Sequence, residues 1–275
     1  MEKHKEDASI VAGGTDLVPR IMRGQVRPKF VVDLSKFSEL NYVKRENGVV
    51  SIGALTRISE LSQSRVLDER CESLRQVCQI LASPAIRNMA TVGGNIAAPG
   101  SHRDLLTVLL SLGGQAVLKS RKGSRTLPIE DLLLDGSRLD LRAEEIITEV
   151  RFQELLPLSS SSFGRVSRRL SFAVPLVSLA VFLELDSASK KINEVRLWFN
   201  HLRGDFPERA RHAETALENE IIDESTVDDA SQALSAELRP LSDFKASSQY
   251  RRKVAIVLFK DQIAHCSEMI AKGSR

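Results

Sequence analysis

Short apolar blocks alternate with polar or glycine-rich breaks through the first half of the chain. Ser9, Ile10, Val11 and Ala12 read as a strand that stops abruptly at Gly13-Gly14-Thr15-Asp16. Leu17, Val18, Ile21 and Met22 then recur at helical spacing and predict a helix over 16–23. Pro19 falls in the first turn of that helix, where its missing N–H costs little. Strands are predicted over 29–34 and 49–53, the second preceded by the turn dipeptide Asn47-Gly48. Thr56 reads as a helix N-cap, with Ile58 and Leu61 on the buried face behind it. Leu74, Val77, Cys78 and Leu81 predict a helix over 71–81, which Ser83-Pro84 interrupts. The stretch 88–94 is polar and glycine-rich. A strongly apolar helix follows over 104–112, then strands over 115–119 and 146–152, with a hairpin-like turn at 121–124.

The pattern changes after residue 156. Pro157, Leu158 and four serines through Ser162 read as a linker over 157–162. Three strands are predicted beyond it, over 163–166, 177–185 and 192–200. Helices follow in the acidic, alanine-rich region 210–238 and in one long amphipathic helix over 249–270. Trp198 and Phe199 close an apolar run and are expected in the core. Strands before helices, with little regular β-α-β alternation in the second half, give an α+β fold class.

Composition narrows the function. With 275 residues the chain accommodates two modest domains. Its 42% hydrophobic and 27% charged shares are those of a globular protein. No apolar run approaches the roughly 20 residues that span a bilayer, and the charged start lacks a signal-peptide pattern. A cytoplasmic protein with no membrane span is expected. The formal charge of +3, from 39 basic against 36 acidic residues mixed along the chain, offers no stripe for nucleic acid. Cys71, Cys78 and Cys266 fit neither a zinc nor an iron–sulfur spacing and are expected to pack as small apolar residues. The five histidines, among them His4, His102, His201 and His212, form no helical metal pair, and Asp131, Asp135 and Asp140 are too loosely set for one, so no metal site is expected. Electrons handled by such a chain would need an organic carrier.

The informative chemistry lies in two glycine loops, Ala12-Gly13-Gly14-Thr15-Asp16 and Thr91-Val92-Gly93-Gly94-Asn95. Glycine lets an anion approach the backbone, and successive N–H groups in such a turn form a nest for phosphate oxygens. A helix opening directly after the first loop adds partial positive charge. Two loops of this kind could hold a diphosphate from both sides. Neither carries the lysine of a P-loop, and the Rossmann glycine pattern is absent. Either glycine pair alone reads by default as a tight turn.

Longer stretches around these loops carry a resemblance. They are Val-Ala-Gly-Gly-Thr-Asp-Leu-Val-Pro over 11–19, Val-Val-Ser-Ile-Gly-Ala-Leu-Thr over 49–56, and Ser-Pro-Ala-Ile-Arg-Asn-Met-Ala-Thr-Val-Gly-Gly-Asn-Ile over 83–96. With Asp104-Leu-Leu, Glu-Glu-Ile-Ile-Thr-Glu over 144–149 and Tyr250-Arg-Arg, they resemble the FAD-binding (medium) subunit of the molybdenum hydroxylases, the carbon monoxide dehydrogenase and xanthine dehydrogenase family. The resemblance implies a two-lobed FAD-binding domain of the PCMH type over 1–156, its lobes split near 35–48. A smaller C-terminal domain over 163–275 would hold a three-stranded antiparallel sheet and helices. It implies FAD held by Ala12, Gly13, Gly14, Thr15 and Asp16 at the diphosphate, with Thr91, Gly93, Gly94 and Asn95 contributing from the second loop. Asp104 would contact the sugar or phosphate region, Ile147 would pack on the adenine side, and Arg165 would lie near the flavin.

It further implies an FAD-dependent oxidoreductase subunit, and no residue is assigned as a general acid or base. Partner subunits would carry the iron–sulfur clusters and the molybdenum cofactor, and electrons would leave through FAD to NAD or another acceptor. A stand-alone flavin oxidoreductase, or a subunit that has lost FAD, are the alternatives. The chain departs from the family in three places. Only Met1 to Ala8 precede the strand that leads into the first loop, against an additional strand and helix in the family, so a trimmed first lobe is expected. The stretch 97–103 displaces a Ser-Pro and introduces His102 and Arg103; contact with phosphate is the alternative for either, and solvent exposure is the expectation. An acidic pair is replaced near Ser171 and Phe172. Asp104 is expected to cap its helix as well as touch the ligand, and Arg165, Arg168 and Arg169 read otherwise as a solvated basic face.

Overall fold

The computed structural model describes residues 7–100, 103–134, 138–167, 175–204 and 206–273. His4, His102, Asp135, Arg168, Arg169, Ser171 and Phe172 lie outside them.

The chain opens with a small lobe. Strand β1 (Ala8–Val11), helix α1 (Leu17–Met22) and strand β2 (Phe30–Asp33) form a crossover, with Ala8 paired to Phe30 and Val11 to Asp33 in parallel. Helix α1 has no buried side chain, so the lobe is thin. A second lobe begins with the hairpin β3 (Val43–Glu46) and β4 (Val49–Gly53). Its turn is Asn47-Gly48, both at positive φ (51° and 74°), the geometry that matches the twist of paired strands.

Helices α2 (Ile58–Ser62), α3 (Glu72–Ile80), α4 (Pro84–Arg87), α5 (Val92–Ala97) and α6 (Asp104–Ser111) follow. Strands β5 (Gln115–Ser120) and β6 (Gly123–Pro128), the short pair β7 (Leu133–Leu134) and β8 (Arg138–Leu139), and β9 (Ile146–Gln153) come next. The large sheet runs β3-β4-β9-β5-β6, antiparallel throughout. Val50, Ile52, Ala116, Leu118, Val150 and Phe152 from its strands share one core with α3 and α6. Every residue of α6 is buried; Thr107 and Ser111 satisfy their hydroxyls on the carbonyls of Arg103 and Val108, which is how a helix interior tolerates them.

Two local expectations change here. Thr56 does not cap α2. Arg57 occupies the N-cap position, and the Thr56 hydroxyl instead donates to Tyr42 O and accepts from Tyr42 N, tying the turn after β4 to the loop before β3. The expected linker at 157–162 is largely strand. β10 (Ser159–Ser167) begins inside it, and Ser159 to Phe163 are buried. The serines make this possible because each is small and most find a partner. Ser159 Oγ donates to Leu156 O, Ser161 Oγ donates to Arg70 O while accepting from Ser73 Oγ, and Ser162 Oγ donates to Gln262 O. A polar run that reads as solvated is here a strand squeezed between two helices.

Strands β11 (Pro175–Leu185), β12 (Ile192–Asn200) and β13 (Glu208–Arg209) complete a sheet in the order β10-β11-β12-β13. It has four strands rather than the expected three, because Trp198 and Phe199 also pair with Arg209 and Glu208. Helices α7 (Arg211–Leu217), α8 (Glu224–Glu237) and α9 (Ser248–Gly273) cover one face. Strand β11 is apolar on both sides. Val177, Leu179, Val181 and Leu183 face the α7–α9 core, while Ala180 and Phe182 join the core of the large sheet. Trp198 and Phe199 are both buried, one in each core. No helix among the described residues is long and apolar enough to cross a membrane.

Cys71, Cys78 and Cys266 are free and buried, and burial pushes each thiol up to about 12. Since the thiolate is the reactive species, native protein should resist an alkylating reagent at mildly alkaline pH, whereas denatured protein should gain three adducts by intact mass. Modification of folded protein would contradict this packing.

Candidate functional site

One cavity of about 980 Å³ opens where the small lobe, α4, α5, the start of α6 and the C-terminal sheet meet. Ala12, Gly13, Gly14, Thr15, Asp16, Thr91, Gly93, Gly94, Asn95, Asp104, Ile147 and Arg165 all line it. The structure therefore brings every residue expected at the site to a single space, although these residues lie in the turn after β1, at the start of and within α5, and on α6, β9 and β10.

The first loop behaves as its sequence suggests. Val11 is the last residue of the β1–β2 ladder, and Leu34 N donates to its carbonyl. Beyond that point the N–H groups of Gly13, Gly14, Thr15 and Asp16 donate to no described residue. Gly14 has φ +69°, the left-handed region that glycine enters freely. Gly13 is required for a different reason: a Cβ there would sit 1.9 Å from Met89 O. The turn thus rests directly on the chain leading into the second loop, half-buried and with no acceptor for its amides among the described residues. That is a nest for an anion.

The second loop differs from expectation. Thr91 is the N-cap of the short helix α5, and its Oγ1 accepts from Gly94 N at 3.2 Å. Val92 N donates to Thr56 O, Gly93 N to Ala54 O and Asn95 N to Thr91 O. Its amides are therefore spent on the protein, and the loop is no second cup. Gly93 is needed for packing, since a Cβ would lie 2.7 Å from that of Ala54. The second loop lines the cavity through Thr91, Gly93, Gly94 and Asn95, and only the first loop presents unspent amides to it among the described residues.

Asp104 is the first residue of α6, behind the N-cap Arg103, and does not cap the helix. Its carboxylate turns toward the C-terminal sheet. Oδ1 accepts from Ser178 Oγ at 2.9 Å and lies 3.0 Å from His201 Nε2, and Oδ2 is 3.7 Å from Arg165 Nη1. Burial acts to raise the carboxyl pKa, but the His201 and Ser178 hydrogen bonds and the Arg165 charge outweigh it and hold the group below its ordinary value. Ile147 is buried in β9 against the large core and borders the cavity.

Two contributors escape sequence reasoning. His201 is a lone histidine 97 residues from its partner, and nothing in the local pattern marks it. Arg103, expected in solvent, is 3% exposed; its Nε donates to Ala98 O at 2.7 Å and its guanidinium stacks 4.0 Å from the Phe206 ring centroid. Among the described residues, five arginines and three carboxylates line the cavity, a balance suited to a doubly charged anion.

Comparison with known proteins fits this geometry. Residues 1–153 match the family model described as the FAD binding domain in molybdopterin dehydrogenase, and residues 162–265 match that of the CO dehydrogenase flavoprotein C-terminal domain. The chain belongs to the FAD-binding medium subunits of the carbon monoxide dehydrogenase and xanthine dehydrogenase family.

Among its relatives in this family is the glyceraldehyde dehydrogenase medium chain of Sulfolobus acidocaldarius, 28% identical over 90% of this chain and 86% of that one. The nicotinate dehydrogenase FAD-subunit of Eubacterium barkeri is 31% identical over 66% of this chain and 62% of its own. The solved carbon monoxide dehydrogenase from Hydrogenophaga pseudoflava shares the fold, with a TM-score of 0.90 at 23% identity over 98% of this chain and 92% of that one. As a medium subunit the chain is an FAD-binding part of a molybdenum hydroxylase-type oxidoreductase, in which iron–sulfur and molybdenum cofactors belong to other subunits. The residues present fit FAD. The Gly13–Asp16 turn offers unspent amides, the arginines lining the cavity would offset phosphate charge, and the cavity lies at the upper end of the volume range for small-molecule sites.

Proposed function

We propose that the chain is the terminal electron-exchange module of its complex, with the FAD diphosphate on the Gly13–Asp16 amides. Asp104, Ile147 and Arg165 would contact the rest of the cofactor. When bound, FAD supplies the carrier that accepts electrons from iron–sulfur clusters on a partner chain and yields them to NAD or another acceptor. The protein's part is to bind, orient and shield. The nest fixes the diphosphate, Asn95 and the Thr91 hydroxyl border it, and the buried Asp104 keeps an acceptor at the cavity wall. The proposed division near residue 156 sets the FAD-binding unit against a C-terminal unit that closes this wall through β10, β11 and β12. The observation that carries the reading is the cluster of unspent amides in a turn that opens on a large arginine-lined cavity.

Titration of cofactor-free protein with FAD, followed by quenching of flavin fluorescence, tests it. Saturable one-to-one binding is expected. FAD at one hundred times its dissociation constant should stabilise the fold by about 2.7 kcal/mol. Co-purification of an iron–sulfur chain and a molybdenum chain, and NADH-dependent bleaching of the flavin, test the electron route. A protein that neither binds FAD nor gains thermal stability from it would refute the assignment.

A further inference from the structure

His201 directly follows β12 in the left-handed backbone region that few non-glycine residues adopt, φ +65°. The position is held from two sides. Its N–H donates to Asn200 Oδ1 at 2.8 Å, and its carbonyl accepts from Arg251 Nη1 at 2.7 Å. Arg251 is itself 3% exposed and is fixed by Leu176 O and the Asp243 carboxylate. A strained turn so fully tied down persists because the surrounding structure determines it, and such turns concentrate at functional sites.

The imidazole projects into the junction between the two halves of the chain, with its side chain 3% exposed. Nε2 meets Asp104 Oδ1 at 3.0 Å. A carboxylate only accepts, so Nε2 carries the hydrogen. Ser178 Oγ donates to the same oxygen from the neighbouring strand β11. Oδ1 is thereby engaged by two donors, while the Arg165 guanidinium lies 3.7 Å from Oδ2, beyond hydrogen-bond length. Both Asp104 and His201 line the cavity.

We infer that His201 is a positioning residue for the cofactor: with Ser178 it pins Asp104 through Oδ1, leaving Oδ2 as a fixed acceptor for a hydroxyl or N–H of FAD. This rests on the reading of the cavity as the FAD site. It makes the C-terminal sheet part of the binding apparatus, since a shift of β12 against α6 would release the carboxylate. It also accounts for an imidazole at a left-handed position where glycine would be less strained. The side chain is retained for its reach.

The strain separates a positioning role from a structural one. His201→Gly relieves the backbone but deletes the donor, His201→Leu deletes the donor and keeps bulk, and His201→Gln keeps an N–H donor at similar reach. Each variant of the full chain is titrated with FAD, with fluorescence quenching for affinity, visible circular dichroism of the bound flavin, and thermal unfolding. His201→Gly and His201→Leu should weaken FAD binding about tenfold or more, the size of one charge-assisted hydrogen bond, and His201→Gln should stay within about threefold of the parent. The flavin dichroism should change in the first two and return in the third. Should His201→Leu not fold, the Gly and Gln variants alone decide the matter. If the parent binds FAD and Asp104→Ala binds it weakly, but His201→Gly binds as the parent does, the inference fails and the cavity reading stands. Failure of the parent to bind FAD removes both.

Discussion

Replacing Gly13 with alanine should weaken FAD binding by about 100-fold or more, roughly 2.7 kcal/mol, while leaving most of the molecule folded. The added methyl would meet Met89 O at 1.9 Å, Met89 C at 2.7 Å and Ala90 Cα at 3.0 Å. All three are backbone atoms, so no side-chain rotation makes room. The loop must lift from the 89–90 segment, and its free amides move with it. Overpacking of this kind costs about 1–3 kcal/mol in stability, and a small displacement of preoriented donors costs affinity on top of that. Gly53→Ala is the control. Its methyl would lie 2.2 Å from Leu40 O, an equally impossible contact, but Gly53 is not part of the cavity wall among the described residues. Gly53→Ala should lower the melting temperature and leave the affinity of the folded protein near that of the parent. Fluorescence titration beside thermal unfolding separates the two. Parent-like FAD affinity in Gly13→Ala would show that the diphosphate does not sit on this turn.

Features encoded over a few neighbouring residues were legible in the sequence, and those that depend on distant partners were not. The Asn47-Gly48 turn, the limits of β4 and β12 and the apolar α6 follow from local chemistry and periodicity, and the structure reproduces them within a residue. The family resemblance brought Asp104, Ile147 and Arg165 to the same cavity as the glycine loops, which spacing alone does not do. The second loop misled because a glycine pair signals freedom of the backbone and says nothing of where its amides point. Thr91, three residues before Gly94, is the clue that they are turned inward as a helix cap. The serines of β10 look solvated because their partners, Ser73 and Arg70 on one side and Gln262 on the other, are 88 to 100 residues away. Arg103 was misplaced for the same reason: the ring it stacks on, Phe206, belongs to the other end of the chain.

The second large effect is expected at Asp104, where replacement by asparagine should destabilise the protein by about 3–5 kcal/mol at neutral pH, as removal of one partner from a buried ionic cluster does. Asparagine has the same shape. It presents an amide where His201 and Ser178 bring donors, and it leaves the mostly buried Arg165 without its counter-charge. The pH dependence distinguishes loss of charge from loss of packing. The native carboxyl is held below its ordinary 3.8 although burial pulls the other way. A group whose folded pKa is depressed contributes stability that is complete above the unfolded value and is lost as pH falls through the folded one. The gap between parent and Asp104→Asn should therefore be widest and constant above the acid range, begin to narrow near pH 3.8, and keep narrowing below it. Urea unfolding of both proteins across that range measures the gap. A gap that stays constant as the carboxylate protonates would mean that side-chain shape, and not the anion, holds α6 to the C-terminal sheet. The positioning role of His201 would then lose its electrostatic basis.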